Sequence, residues 1–148
     1  MRLLKYLFLI LILASASCKK ADHKLVEDGH CGCDKNMICT EEFRSLVLNV
    51  KDKQGKPVVL DAIFTYKEST QEKIIVDDLS FQEPPYQGSY SIWNDLQLKT
   101  SSKHGETIRV VGMIKTKEIF SLPFKVGHDC CHVVKLEGPD TIEIDVNL

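Results

Sequence analysis

The chain lacks the long apolar run of a membrane-spanning helix. Its one continuous apolar stretch, residues 6–14, falls far short of the roughly 20 residues that a bilayer demands. It has no G-x-S-x-G elbow, no H-E-x-x-H pair and no Walker loop. Three familiar routes to acyl, zinc-assisted and phosphoryl chemistry are therefore missing. It has no basic surplus, since 19 Lys and Arg stand against 21 Asp and Glu, for a formal charge of −2. Nucleic acid, which calls for a basic patch, is not an expected partner. There is no internal repeat, no low-complexity tract and no convincing long helix. The acidic pairs Glu41-Glu42 and Asp77-Asp78 are expected to be solvated rather than catalytic. No enzyme and no cofactor are expected from these absences.

What the chain does have begins at its amino end. Arg2 and Lys5 form a basic head, followed by the apolar stretch and then Ala14-Ser15-Ala16-Ser17-Cys18. That is the order of a secretory signal peptide. A cysteine directly after small residues resembles a bacterial lipobox, in which the sulfur receives a diacylglycerol. Ser15 stands where most lipoboxes carry an aliphatic residue, a departure that the looser Bacteroidota-type boxes accept. The rival is an ordinary peptidase site, because Ala14-Ser15-Ala16 also fits A-x-A. We take Cys18 as the lipidation site, with the membrane as the first partner. Lys19 after the cysteine, by analogy with enteric lipoproteins, points to the outer membrane, with the facing leaflet open.

The expected organisation is a signal peptide over residues 1–17, a cysteine-containing tether over 18–42 and a folded domain over 43–148. Loss of the signal removes Arg2 and Lys5, leaving 17 basic against 21 acidic residues, a charge of −4. Within the domain, period-two alternation dominates, the pattern of half-buried strands. Leu46, Leu48 and Val50 share one face. Leu60, Ala62, Phe64 and Tyr66 share the next, opposite Asp61, Ile63 and Thr65. Tyr90 and Ile92 lie opposite Ser91 and Trp93. Ile108, Val110, Gly112 and Ile114 pair with Phe120, Leu122, Phe124 and Val126 through a short hairpin link. Pro123 places the second of these at an edge or a bulge. Ile142, Ile144 and Val146 close the chain. The reading is all-β, an antiparallel β-sandwich of seven or eight strands, with transthyretin-like and immunoglobulin-like topologies both open.

Two segments carry a family resemblance. Val50-Lys51-Asp52-Lys53-Gln54-Gly55-Lys56-Pro57-Val58 fits V-x-D-x-x-G-x-P-V, and Gly88-Ser89-Tyr90-Ser91-Ile92 fits a later G-x-Y-x-hydrophobic segment. Together they resemble the carboxypeptidase regulatory-like domain, a transthyretin-like sandwich of secreted Bacteroidota proteins. The resemblance implies secretion and an accessory or interaction role. In that family the catalytic zinc lies in a separate domain.

The six cysteines carry the remaining chemistry. Export makes disulfides the default, with Cys31, Cys33, Cys39, Cys130 and Cys131 as candidates. A bridge from Cys39 to Cys130 or Cys131 would close a loop of about 90 residues, worth at most about 4–5 kcal/mol. The alternative is a Zn²⁺ or Cu⁺ site. His30, Cys31 and Cys33 on one side and His128, Cys130, Cys131 and His132 on the other supply thiols and imidazoles. The spacing lacks the usual C-x₂-C pair. Tyr86 and Trp93 flank the longest irregular stretch and are candidates for a loop that binds a protein, peptide or glycan, but the burial usual for tryptophan favours Trp93 as a plug in the sandwich core. The expected function is a lipid-anchored, non-catalytic envelope binding module. The alternative is a metal-binding envelope lipoprotein.

Overall fold

In the computed structural model the described residues are 33, 36–74, 76 and 84–145. They form eight strands and one short helix: β1 (Ser45–Asp52), β2 (Ala62–Lys67), β3 (Lys73–Ile74), β4 (Ser89–Asn94), a 3₁₀ helix (Asp95–Thr100), β5 (Glu106–Ile114), β6 (Lys117–His128), β7 (Val133–Glu137) and β8 (Thr141–Ile144). The strands make two sheets, β4-β1-β8 and β3-β2-β5-β6-β7. This is the all-β sandwich that the alternation predicts. One pair departs from the antiparallel rule, since β8 runs parallel to β1.

The core lies between the sheets. Leu48, Val50, Tyr90 and Ile92 from the smaller sheet face Ile108, Val110, Phe124 and Val126 from the larger, all essentially buried. Burial of this apolar surface is the main favourable term in folding. Tyr90 is admitted because its hydroxyl is fully used. It accepts from the Leu60 amide at 2.7 Å and donates to the Val58 carbonyl at 2.9 Å. The turn after β1 is held by Asp52, whose Oδ1 accepts from the amides of Gln54 and Lys56 at 2.8 Å each. Gly138 adopts φ +117°, and a Cβ there would stand 2.3 Å from the Phe124 ring. Glycine is required on both counts.

Three local expectations are corrected. The buried face of β2 is Ile63, Thr65 and Lys67, whereas Phe64 and Tyr66 lie on the outer face. Hydrophobicity alone chooses the wrong face because both polar members have buried partners. Thr65 Oγ1 donates to the Ile92 carbonyl at 2.9 Å, and Lys67 Nζ donates to the Thr100 carbonyl at 2.7 Å. Glu106 lies 3.2 Å from Lys67 Nζ, and the Trp93 ring lies 5.5 Å from it. Outside, Phe64 and Tyr66 pack edge to face, with Lys73 Nζ over Phe64. Second, a register shift between β1 and β4 pairs Leu46 with Trp93 and Val47 with Ser91. The bulge breaks the alternation, so Ile92 and Trp93 are both buried. Third, the 3₁₀ helix was not expected. Asn94 and Gln97 form its capping box, a four-residue signal that period-two alternation does not encode.

Pro123 behaves as expected. It pairs with Arg109 on the β5 side. β7 joins β6 only from Lys125 onward, so Pro123 lies on a locally open edge where its missing amide costs little.

Candidate functional site

The densest chemistry lies at the corner between β6 and β7. β6 ends at His128, residues 129–132 turn, and β7 begins at Val133. The turn is built by Asp129, whose Oδ1 accepts from the Cys131 amide at 3.0 Å and the His132 amide at 2.7 Å. Cys130 takes φ +84°, a left-handed conformation uncommon for a residue with a side chain. The corner is therefore a turn, in which the side chains of Cys130 and Cys131 need not alternate as they would on an extended strand. Each of the two adjacent thiols can then reach its own partner.

Both partners come from the segment before the sandwich. Cys33 bonds Cys130, and Cys39 bonds Cys131. Cys130 is buried and Cys39 exposed. The Cys130 amide donates to His128 Nδ1 at 3.1 Å. Cys33, Cys130 and His128 offer ligand atoms that all lie within 4.8 Å of one another. This is the part of the expected metal cluster that the fold assembles. Cys131 belongs instead to the second bridge. His132 turns to other partners, and His30 and Cys31 lie outside the described residues.

His132 forms the centre of a hydrogen-bonded latch. Its Nδ1 lies 2.8 Å from Asp95 Oδ2, and its Nε2 lies 3.0 Å from Thr40 Oγ1. An ionised carboxylate only accepts, so Nδ1 carries a proton and donates it. The same Asp95 accepts from the Arg44 amide through Oδ2 and from the Val133 amide through Oδ1, both at 2.8 Å. One carboxylate thus joins the helix start, the β7 start and the approach to β1. Arg44 also reaches Asp129 at 3.6 Å, an exposed contact of little weight. Neither acid was singled out from sequence. The capping signal at residues 94–97 could have drawn attention to Asp95.

Burial raises the pKa of Asp95, but hydrogen bonds from His132, Val133 and Arg44, with the nearby His132 charge, outweigh it. The carboxyl sits below its ordinary 3.8. Asp129 follows the same pattern: burial raises it, and the His132 and Cys131 amides with the Arg44 charge bring it below 3.8. A depressed folded pKa gives stability that is complete above the unfolded value and is lost as pH falls through the folded one. The latch is therefore expected to weaken below about pH 4. Asp95→Asn should cost about 1.5–3 kcal/mol at neutral pH, the scale for hydrogen bonds to a charged group. Its melting temperature should also depend less on pH between 5 and 2.5 than that of the wild type. Parallel pH profiles for the two proteins would rule out this role for Asp95.

The remaining candidates separate. Trp93 is fully buried and is removed from the binding loop, because the β4 bulge turns it into the core. Tyr86 is exposed at 68 %. Cys18 lies outside the described residues. No family model matches the chain, and no curated protein or solved structure shows significant similarity to it.

Proposed function

We propose that this chain is an exported, lipid-anchored binding module of the bacterial cell envelope, held at the outer membrane through Cys18. It presents a rigid sandwich to an envelope protein, peptide or glycan. The observation that carries this reading is the pair of disulfides joining residues 33 and 39 to the β6–β7 corner. Such bridges form and persist in oxidising compartments. They also define how the domain hangs from its anchor. The fifteen residues from Cys18 to Cys33 can span at most about 50 Å, so the sandwich stays near the bilayer surface. Beyond Cys33 the chain is fastened down, and pulling or docking forces pass directly into the β6–β7 corner. Tyr86, exposed on the turn before β4, is the most exposed aromatic of the described residues and the one proposed to meet a partner.

The test is intact-mass analysis of the purified amino terminus together with fractionation of expressing cells. The reading requires an acylated Cys18 as first residue and recovery with outer membranes. Cys18→Ser should release the folded domain into the soluble periplasmic fraction. An unmodified Cys18 in an exported wild-type chain would end the anchored reading.

A further inference from the structure

We propose that the Cys33–Cys130 bridge is the oxidised form of a metal site. When an exported dithiol reductant opens it, Cys33, Cys130 and His128 hold one thiophilic ion, Zn²⁺ or Cu⁺. This goes beyond the binding-module reading and does not depend on lipidation.

Three features of the corner support the assignment. The two sulfurs and a ring nitrogen of His128 already lie within 4.8 Å of one another, close enough for small side-chain shifts to bring them around one ion. Thiolate and imidazole are the donors that Zn²⁺ and Cu⁺ prefer. His128 and Cys130 are buried at 3 % and 7 % exposure, and Cys33 is half-buried, so water competes weakly for the ion. The third feature is what keeps the ligands together once the bridge opens. Thr40 and Arg44 remain hydrogen-bonded to His132 and Asp95, contacts that need no sulfur. Cys33 lies only a few residues from this latch. His128 and Cys130 are held by the end of β6 and by the Asp129 turn.

The chemistry balances in two steps. The dithiol gives two electrons and two protons to the Cys33–Cys130 bond and becomes a disulfide itself, leaving two protein thiols. The ion then binds both sulfurs as thiolates and His128 as neutral imidazole, releasing the two thiol protons. Three protein donors satisfy Cu⁺. Zn²⁺ leaves a fourth position for water or an incoming ligand. A disulfide oxidant reverses this: it takes two electrons from the thiolates and two protons from solvent to become a dithiol, the Cys33–Cys130 bond re-forms and the ion leaves, so occupancy follows the redox state of the compartment.

The test uses the full mature chain, reduced and kept anaerobic, titrated with Co²⁺ as a spectroscopic probe and then with Zn²⁺ or Cu⁺ as competitor. One equivalent of Co²⁺ should give a thiolate charge-transfer band, and the competitor should remove it. The oxidised protein should give no band. The double variant Cys33→Ser, Cys130→Ser keeps Cys31, Cys39 and Cys131 and should also give none. His128→Ala should bind at least about tenfold more weakly, given that even outer partners of metal ligands matter at that level. Three results would overturn the proposal. They are no metal uptake by the reduced wild type, binding by either variant as tight as wild type, and a loss of strand circular dichroism in the reduced chain that Zn²⁺ does not restore.

Discussion

Replacing Cys39 and Cys131 by serine is expected to destabilise the domain by about 2–3 kcal/mol, well below the roughly 4–5 kcal/mol of a lone bridge over a loop of this length, because Cys33–Cys130 still closes nearly the same loop. The bridge joins residues separated by 92 positions, nearly the whole sandwich. The Cys33–Cys130 bridge spans 97 positions, yet it does not add an equal amount. Once one bridge is present, the other closes only a small ring between neighbouring links, worth about 2–3 kcal/mol. Removing either bridge alone should therefore cost less than half of what removing both costs. Urea denaturation of the two double variants and of the four-serine chain measures all three values. Simple additivity at about 4–5 kcal/mol each would contradict the nested-ring argument. Limited trypsin digestion adds a local readout, because cleavage after Arg44 should accelerate once the segment before β1 is released. The reduced-state metal site predicts partial recovery of the loss when Zn²⁺ is supplied to reduced wild type. The four-serine chain should show no such recovery.

Trp93→Ala is expected to cost about 3–5 kcal/mol, the range for emptying a large buried aromatic site. Trp93 has no exposed surface and is the largest fully buried side chain of the described residues. Its loss does more than leave a cavity. The indole Nε1 donates to Ser101 Oγ at 3.0 Å, and that hydroxyl in turn donates to the Gln97 carbonyl at 2.8 Å. The Trp93 ring therefore ties β4 to the end of the 3₁₀ helix. It also covers Lys67, a buried cation whose other partners are Thr100 and Glu106. Trp93→Phe retains most of the apolar contact and should lose about 1–2 kcal/mol, mainly the hydrogen bond. Far-UV circular dichroism must report these transitions, since the chain's single tryptophan is the residue removed. A Trp93→Ala variant that unfolds at the wild-type urea concentration would return Trp93 to the surface.

Most of the strand framework was legible because half-buried strands write their burial as alternation. Leu48 and Val50 in β1, Ile108 and Val110 in β5, and Phe124 and Val126 in β6 all lie where that rule puts them. The rule failed in β2, where Thr65 and Lys67 are buried and Phe64 and Tyr66 are not. There the deciding contacts come from Ile92, Thr100 and Glu106, which are distant in sequence. It failed again in β4, because one bulged residue changes which side chains face inward, and a bulge is set by the partner strand.

The cysteine corner shows the same division. Composition and an amino end patterned like a signal peptide made bridges to Cys130 and Cys131 the default, and the chain alone named all four partners among its candidates. Their pairing, Cys33 with Cys130 and Cys39 with Cys131, depends on a left-handed Cys130 and on an Asp129 turn. The latch through Asp95, His132 and Thr40 joins residues 37 and 92 positions apart, a proximity that no local pattern encodes. By itself the sequence determined strand character, core composition and the redox chemistry available, since these follow from side-chain type and spacing. The tertiary structure alone decided which thiols pair, which imidazole joins the sulfurs and which aromatic is buried. Those depend on how distant strands bring their ends together.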